Sequence, residues 1–289
     1  MKKVTVKVPA KINLTLDVLG VKDGYHELNS LVASINLFDK ITIKPRTDGK
    51  ITLLNKGIVV DCPIIENNAY KAAKLFIDTF GTYGVDIIVN KSIPVAGGLG
   101  GSSADIAGVL NALNALYGIN GDISPLAGDL GSDSTYMLTG GYAVIKGRGD
   151  QVEIKDIDKK LYILVITEPA EISARNCYKK FDQKKKSFKP TTEKASTALH
   201  EGDLLSALPH LKNDLYLAAV DLVPNIKHNV FNLLKAGANT ALLAGSGPSV
   251  FGVFLDKKSR DVAYKKLVGL YGDNLIKAET VVPENGKFI

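Results

Sequence analysis

Four glycines within five residues constrain this chain more than any other feature of its sequence. Gly97, Gly98, Gly100 and Gly101 stand between VDIIVNKSIP, which alternates like a strand, and a segment with helical spacing. Glycine loses more backbone freedom on folding than other residues, so a cluster of this density indicates a close approach of another group to the main chain. The sequence therefore predicts a strand, a tight glycine loop and a helix in direct succession.

This order of elements is typical of an anion site. The first N–H groups of a helix lack intrahelical partners and carry the positive end of its dipole, and glycine lets a phosphate reach them. Ser102 and Ser103 follow the loop and can cap the helix, donate to phosphate or ligate magnesium. An ordinary turn with a serine N-cap is the alternative. The glycines favour phosphate, although neither GxxxxGK[ST] nor GxGxxG is matched.

Composition and charge are those of an ordinary globular protein. The chain has 289 residues, 45% of them hydrophobic and 23% charged, enough for two modest domains or one large one. Its net charge of +6 fits either a lysine-rich solvated surface or a field that attracts anionic ligands. The densest basic run, at residues 184–186, has no aromatic platform and no recognisable nucleic-acid motif, so we expect no nucleic-acid partner.

The two cysteines, Cys62 and Cys177, lie far apart without CxxC or His partners at ligand spacing. A disulfide framework or structural zinc site is therefore not expected, and a reducing compartment fits. The N-terminal segment MKKVTVKVPAKINLTL alternates like a strand and lacks the apolar core of a signal peptide. Since no apolar run approaches the ~20 residues that span a bilayer, we expect a soluble, cytoplasmic protein with no membrane partner.

Strand and helix patterns mix without a regular alternation, which favours an α+β fold. Strands are predicted over residues 3–46 and at VDIIVNKSIP, GYAVIKG, QVEIKD, LYILVITEP, TALLAGSGPSVFGVFL and LIKAETVV. Helices are predicted at NNAYKAAKLFIDTFG, residues 102–117, most of residues 191–236, and SRDVAYKKLVGLYG. The first of these helices has Asn67 or Asn68 as its N-cap and Gly81 as its stop. The charged turn KDIDKK predicts a boundary that divides the chain into domains 1–157 and 158–289.

Three motifs, in order along the chain, resemble those of the GHMP kinases. PAKINLTLDV (residues 9–18) is similar to the first motif, PVAGGLGGSSAD (residues 94–105) to the second, which wraps the ATP phosphates, and LLAGSGPSVFGVF (residues 242–254) to the third. The resemblance runs from Lys7 to Phe254. It implies a two-domain architecture with an N-terminal ribosomal-protein-S5-like domain and a C-terminal ferredoxin-like α/β sandwich. It also implies an ATP-dependent small-molecule kinase, with Mg²⁺ carried by the nucleotide and no preformed metal cage.

The resemblance implies a catalytic pair, Lys11 in PAKINL and Asp133 in GSDSTYM. Asp133 would orient the acceptor hydroxyl and accept its proton, while Lys11 would keep that carboxylate ionised and stabilise charge on the transferred group. From the residues alone, Asp133 could equally cap a helix beginning at Ser134, and Lys11 could be an exposed strand lysine.

The nucleotide is expected to contact the glycine loop and two residues nearby. The resemblance implies that Asn67 and Lys91 contact the nucleoside, although Asn67 could equally be only a helix cap. The expected ATP-binding residues are Asn67, Lys91, Pro94, Val95, Ala96, Gly97, Gly98, Leu99, Gly100, Gly101, Ser102 and Ser103.

Several further motifs are similar to one branch of this family, whose acceptor alcohol carries a diphosphocytidyl group. These motifs are DGYHEL, GSD, GRGD and KNDL. The resemblance implies that His26 hydrogen-bonds the cytosine, that Tyr25 lies beside the substrate and that Tyr178 stacks on the base. From the residues alone, a histidine satisfied by backbone and a core tyrosine remain open.

The acceptor end is completed by three more residues. Asn13 lies on the same strand face as Lys11 because side chains alternate along a strand. Gly245 and Ser246 are expected to form a second close-packed loop beside the substrate.

The resulting prediction is a kinase that phosphorylates the 2-hydroxyl of a methyl-branched polyol bearing a diphosphocytidyl group, in isoprenoid precursor synthesis. The alternatives are a GHMP kinase for mevalonate, homoserine or a sugar, and a catalytically silent nucleotide-binding homologue. Two departures from the branch bear on this choice: GGSSAD replaces three glycines followed by SSD, and Ser134-Thr135-Tyr136 replaces a proline–aromatic pair. The protein is expected to be a monomer or homodimer.

Overall fold

The computed structural model describes residues 3–119, 121–184 and 189–284, and within these ranges it contains twelve strands and ten α-helices. The strands are β1 (Val4–Asn13), β2 (Thr15–Lys22), β3 (Tyr25–Pro45), β4 (Ile51–Gly57), β5 (Val85–Lys91), β6 (Tyr142–Gly147), β7 (Gln151–Lys155), β8 (Tyr162–Ile166), β9 (Lys212–Asn213), β10 (Thr240–Leu243), β11 (Val250–Phe254) and β12 (Leu275–Glu279). The helices are α1 (Asn68–Phe80), α2 (Gly101–Tyr117), α3 (Ser124–Leu130), α4 (Ser134–Met137), α5 (Ala174–Phe181), α6 (Thr192–His200), α7 (Leu204–Ala207), α8 (Tyr216–Leu222), α9 (Asn225–Ala236) and α10 (Lys257–Tyr271).

The 21-residue strand β3 organises the larger, eight-stranded sheet. It pairs antiparallel with β1, β2, β5 and β6 along different parts of its length. β4 joins β5 in parallel, β7 joins β6, and the short β9 joins β2 in parallel. Residues 29–35 of β3 are buried without interruption, as expected for a strand covered on both faces.

A second sheet of four antiparallel strands has the order β10-β11-β8-β12. Helices α9 and α10 pack against it. Side chains of this sheet and of α5 join one buried apolar cluster that includes Leu164, Cys177, Phe181 and Phe254. This cluster fixes the orientation of α5, which matters for the site.

The helix after the glycine loop begins one residue earlier than predicted. Its N-cap is Gly100, in the left-handed conformation, and no side chain caps it. The alternative of a serine N-cap is therefore wrong: Ser102 and Ser103 lie inside the first turn of α2. By contrast, α1 has the predicted N-cap, since Asn67 accepts from the Ala69 N–H, and it ends at Gly81 as predicted.

Short elements escaped the sequence patterns. β4 has no regular alternation of polar and apolar residues, and α3 and α5 span only seven and eight residues. Among the described residues, no helix has the length and apolarity to cross a membrane. Most of the predicted basic run falls on residues 185 and 186, which lie outside the described residues.

The predicted domain boundary falls on the connection between β7 and β8. Segments from beyond it nevertheless reach back: β9 pairs with β2, and Thr280 forms a bridge with Ile35. The division into 1–157 and 158–289 stays a prediction.

The glycine loop packs against a second glycine-containing turn, at residues 244–247. A Cβ on Gly98 would lie 2.0 Å from the Ala244 carbonyl oxygen, and Gly98 itself has φ of +76°. A Cβ on Gly100 would lie 2.4 Å from Met137 Cε and 2.9 Å from Lys11 Cγ. The close approach that the glycines indicate is therefore made by the protein's own atoms, and not by a ligand alone.

A buried cluster of three charged side chains, Lys91, Asp39 and Asp105, fixes the first turn of α2 to the sheet. Lys91 Nζ lies 2.6 Å from Asp39 Oδ2 and 2.7 Å from Asp105 Oδ2, and donates to the Gly101 carbonyl at 2.8 Å. Asp39 Oδ1 accepts the N–H groups of the two residues after Lys91, at 2.6 and 2.9 Å. The cluster thus ties the end of β5 and the start of α2 to β3.

Asp105 is the carboxyl of this cluster that burial perturbs most clearly. Desolvation raises the pKa of Asp105 to about 7, against the opposing attraction of Lys91 and with help from the charge of Asp39. Its second oxygen, Oδ1, has no hydrogen-bond partner among the described residues. No donor in the described parts of the chain therefore stabilises the ionised form of the carboxyl at that oxygen.

We predict that Gly98→Ala destabilises the fold much more than Gly118→Ala. Both glycines have positive φ, which costs an alanine ~1–2 kcal/mol, but a Cβ on Gly118 would meet nothing within 4 Å. The contact with Ala244 should add at least ~2 kcal/mol for Gly98. Urea unfolding of the two variants measures the difference. Equal losses would mean that the two loops do not press on each other.

We predict that Asp105→Asn flattens the pH dependence of stability. The folded carboxyl keeps its proton up to about pH 7, whereas the unfolded one releases it near its ordinary value of 3.8, so this group stabilises the fold at low pH and loses its contribution as pH rises to 7. The slope is at most ~1.4 kcal/mol per pH unit. Unfolding free energies from pH 4.5 to 8 test this, with the exposed Asp78→Asn as control; parallel curves for wild type and Asp105→Asn would contradict it.

Candidate active site

One cleft of about 1320 Å³ collects nearly all the predicted site residues. Its walls come from the glycine loop, the start of α2, the C-terminal end of β1, the N-terminal end of β3, α5 and the second glycine turn. The predicted residues that line it are Lys11, Asn13, Tyr25, His26, Pro94, Ala96, Gly97, Gly98, Leu99, Gly100, Gly101, Ser102, Ser103, Asp133, Tyr178, Gly245 and Ser246. Asn67, Lys91 and Val95 are not part of the lining.

Lys11 and Asp133 form an ion pair inside the cleft. Lys11 Nζ lies 3.1 Å from Asp133 Oδ2 and donates to Asn13 Oδ1 at 2.8 Å. Lys11 is only 4% exposed, and its N–H donates to the Leu99 carbonyl. Asp133 precedes α4 but its side chain caps nothing. The exposed strand lysine and the capping aspartate, both open from sequence, are thus wrong, and a one-third exposed carboxylate faces the cleft.

The residues after Asp133, where the sequence departs from the related branch, anchor α4. Tyr136 is fully buried, and its hydroxyl donates to the Gly141 carbonyl at 2.7 Å and contacts Ser34 Oγ at 2.9 Å. Burial raises the pKa of Tyr136 well above its ordinary range. A neutral phenol thereby fastens α4 to β3, which fixes the position of Asp133.

A chain of polar contacts extends from the ion pair to a residue that the motifs did not indicate. Asn13 Nδ2 donates to Ser30 Oγ at 2.8 Å, and Ser30 donates to the Thr15 carbonyl at 2.5 Å. Ser30 lines the cleft. It orients the Asn13 amide so that the amide oxygen faces Lys11.

The start of α2 presents free donors to the cleft. The first intrahelical bond runs from Ala104 N to the Gly100 carbonyl, so the N–H groups of Gly101, Ser102 and Ser103 precede it. Ser102 is exposed and its hydroxyl accepts from Asn68 Nδ2. Ser103 Oγ has no protein partner among the described hydrogen bonds. This turn can hold a phosphate group.

The side chains of Asn67 and Lys91 make hydrogen bonds and ion pairs with other residues of the chain. Asn67 is 7% exposed and caps α1, while Lys91 Nζ is surrounded by two carboxylates and a carbonyl. Asn67 therefore supports the start of α1 and Lys91 the start of α2, and contact between either one and a nucleoside stays a prediction.

An aromatic wall lies at the other end of the cleft. The rings of His26 and Tyr178 stack with centroids 4.6 Å apart, and His26 Nε2 lies 3.0 Å from Asp182 Oδ1. The Arg148 guanidinium lies 4.7 Å above the Tyr25 ring. Burial raises the pKa of Tyr178, and the charge of Asp133 adds to this shift. His26 is therefore partnered by a carboxylate and not by backbone, while Tyr178 both packs against the buried cluster of α5 and lines the cleft.

The KNDL motif holds the second glycine turn. Asn213 Nδ2 donates to the carbonyls of Leu243 and Gly245 at 3.0 and 2.7 Å, and its Oδ1 accepts the Leu215 N–H at 2.9 Å. One buried amide thus sets the path of the chain before Ser246. The sequence analysis identified KNDL as a family motif but assigned no role to its residues.

Several cleft residues were missed by sequence reasoning. Arg175 and Lys179 flank Tyr178 on α5, a helix too short to give a periodic signal. The others are Ser132, Asp129, Arg148 and Asp150, the last two within the GRGD motif. Within residues 3–119, 121–184 and 189–284, no group of three or more His, Cys, Asp or Glu side chains could hold a metal ion.

Comparison with known proteins agrees with this geometry. Residues 67–145 match the family described as GHMP kinases N terminal domain. A 4-diphosphocytidyl-2-C-methyl-D-erythritol kinase of Pelotomaculum thermopropionicum is 38% identical over 268 residues, which cover 90% of this chain and 92% of that relative.

Solved structures give the same result at the level of the fold. A 4-(cytidine 5'-diphospho)-2C-methyl-D-erythritol kinase superposes with a TM-score of 0.80 at 29% identity, covering 96% of this chain and 98% of the other. A homoserine kinase from Cytophaga hutchinsonii, 19% identical, superposes with a TM-score of 0.77 over 98% and 96% of the two chains and speaks for the fold alone. The predicted α+β kinase architecture is thereby confirmed. With similarity over nine tenths of both chains, the chain belongs to the GHMP kinases, in the family of the 4-diphosphocytidyl-2-C-methyl-D-erythritol kinases.

Proposed function

We propose that the protein transfers the γ-phosphate of ATP to the 2-hydroxyl of 4-diphosphocytidyl-2-C-methyl-D-erythritol, a step of isoprenoid precursor synthesis. The observation that carries this proposal is the Lys11–Asp133 pair, 3.1 Å apart, in the cleft that joins the start of α2 to the aromatic wall. The proposal places the enzyme in the cytoplasm, as a monomer or homodimer.

The ion pair suits the chemistry of the step. Asp133 orients the acceptor hydroxyl and takes its proton as the new oxygen–phosphorus bond forms and the bond to the β-phosphate oxygen breaks, releasing ADP. The Lys11 ammonium lies beside the carboxylate and would stabilise the negative charge that develops on the transferred group. Asn13, held by Ser30, keeps the ammonium in place.

The triphosphate would bind along the first turn of α2, where the N–H groups of residues 101–103 lie in the cleft lining. Magnesium bound to the phosphate oxygens neutralises their charge. Ser103 has a hydroxyl available for such an ion, whereas Ser102 already accepts from Asn68. Of the two serines, Ser103 is therefore our candidate magnesium ligand.

The nucleoside would lie on an apolar segment between β4 and α1. Val59, Ile64 and Ile65 are 81%, 54% and 67% exposed, an unusual density of apolar side chains in water. The Ile58 N–H donates to the Lys91 carbonyl at 3.0 Å, so this segment lies next to the support of the glycine loop. This arrangement supports the prediction that the base lies near Asn67 and Lys91.

The acceptor base would meet the aromatic wall. Tyr178 and His26 offer a flat ring surface with a hydrogen-bonding edge, and Tyr25 lies exposed nearby. A cytosine needs both features. Mevalonate, homoserine and sugars carry no base, so an aromatic wall would have nothing to bind in kinases for those alcohols.

We predict that Asp133→Asn lowers turnover by ~10²–10⁴ and leaves ATP affinity unchanged, because the amide cannot accept the hydroxyl proton. Steady-state rates and calorimetric ATP binding measure the two effects. Asp122→Asn is the control, since Asp122 is exposed and accepts only a local N–H of Ser124. Turnover of Asp133→Asn near the wild-type value would remove this carboxylate from the mechanism.

The substrate is tested with a panel of alcohols supplied with ATP and Mg²⁺. We expect ADP release with the diphosphocytidyl polyol and rates at least 100-fold lower with mevalonate, homoserine and sugars. Preference for one of the small alcohols would overturn the substrate and leave the kinase class. Absence of ADP release with every alcohol would favour the silent nucleotide-binding homologue.

A further inference from the structure

Helix α5 turns one polar stripe toward the cleft. Arg175, Tyr178 and Lys179, followed by Asp182, have the i, i+3, i+4, i+7 spacing of a single helix face, and all four line the cleft. The opposite face, with Cys177 and Phe181, is buried in the apolar core. That burial prevents α5 from rotating about its axis, so the polar stripe is held facing the cleft.

The cations of this stripe differ from the other lysines of the same segment. Lys180 and Lys184 lie 3.5 and 2.5 Å from Asp221, which neutralises that side of the helix. In the described parts of the chain, Arg175 and Lys179 have no carboxylate within 4 Å. Two carboxylates of the cleft are already paired, Asp133 with Lys11 and Asp182 with His26. Two neighbouring positive charges therefore face the cleft without compensation, an arrangement that favours an anionic ligand.

The position of these charges relative to the aromatic wall indicates which anion they would meet. Residues three and four apart on a helix lie ~5–6 Å from each other, so Arg175 and Lys179 lie within one turn of the Tyr178 ring. In a nucleoside diphosphate, the phosphates follow the base at the distance of one ribose. Arginine offers a planar fork for two phosphate oxygens, and lysine adds a compact positive charge.

We infer that Arg175 and Lys179 bind the diphosphate of the acceptor and so select it against alcohols without phosphate. This inference rests on the proposed function, which supplies an acceptor with a base and two phosphates. It makes these two side chains specificity-determining residues of the acceptor site, separate from the donors at the start of α2 that serve ATP.

The test compares CDP with cytidine as probes in titration calorimetry. The enzyme is first saturated with Mg²⁺ and a non-hydrolysable ATP analogue, so that CDP can enter only the acceptor end. We expect CDP to bind the wild type at least 10-fold tighter than cytidine. The double variant Arg175→Gln/Lys179→Gln should lose at least 10-fold in CDP affinity while its cytidine affinity, which also reports an intact fold, stays unchanged. Lys180→Gln, on the same helix but paired with Asp221, should behave as wild type.

Three outcomes would overturn the inference: equal binding of CDP and cytidine by the wild type, unchanged CDP affinity in the double variant, or a loss of ATP-analogue affinity of the same size, which would assign the two cations to ATP. None of these depends on turnover. Failure of the proposed function would instead appear in the alcohol panel, as preference for an alcohol without a base.

Discussion

The contact between the glycine loop and the turn at residues 244–247 underlies the rest of the active-site architecture. Gly98 lies so close to the Ala244 carbonyl that no side chain fits between them, and a Cβ on Gly245 would lie 3.0 Å from the Gly98 carbonyl and 3.4 Å from Lys11 Nζ. Two loops separated by almost 150 residues therefore meet beside Lys11. Their backbones position one another, and Asn213 and the Lys91 cluster hold each of them from outside.

This arrangement shows how much of the fold the sequence could predict. Strand alternation and helix periodicity identified most elements of both sheets, because long amphipathic segments carry a strong signal. β4 and α5 lacked that signal, the first through irregular alternation and the second through its length. The start of α2 was predicted one residue too late, because glycine is a poor helix former and yet Gly101 begins this helix, with Gly100 at positive φ as its N-cap.

The candidate site likewise contains residues that the sequence predicted and residues whose roles only the structure shows. Motifs that occur in the same order as in the related kinases identified Lys11, Asp133 and the glycine loop. Structural roles that depend on distant partners gave no local signal: Lys91 was predicted as a nucleoside contact, whereas its side chain binds Asp39, 52 positions earlier, and Ser30 holds Asn13 from another strand. Geometry decided one open interpretation, since the Asp133 side chain caps nothing, and it showed that Tyr178 both packs on the core and lines the cleft.

The length of β3 has a consequence for how this enzyme can vary. His26 at the aromatic wall and Asp39 beneath the glycine loop both lie on this one strand. Because side chains alternate along a strand, inserting or deleting a single residue between His26 and Asp39 would move the side chains of one end to the opposite face of the sheet. Under the proposed function, the spacing between the acceptor site and the nucleotide site thus depends on the number of residues in β3. A new acceptor can be accommodated by substitution, or by changes in the segments around α5, but not by changing the length of β3.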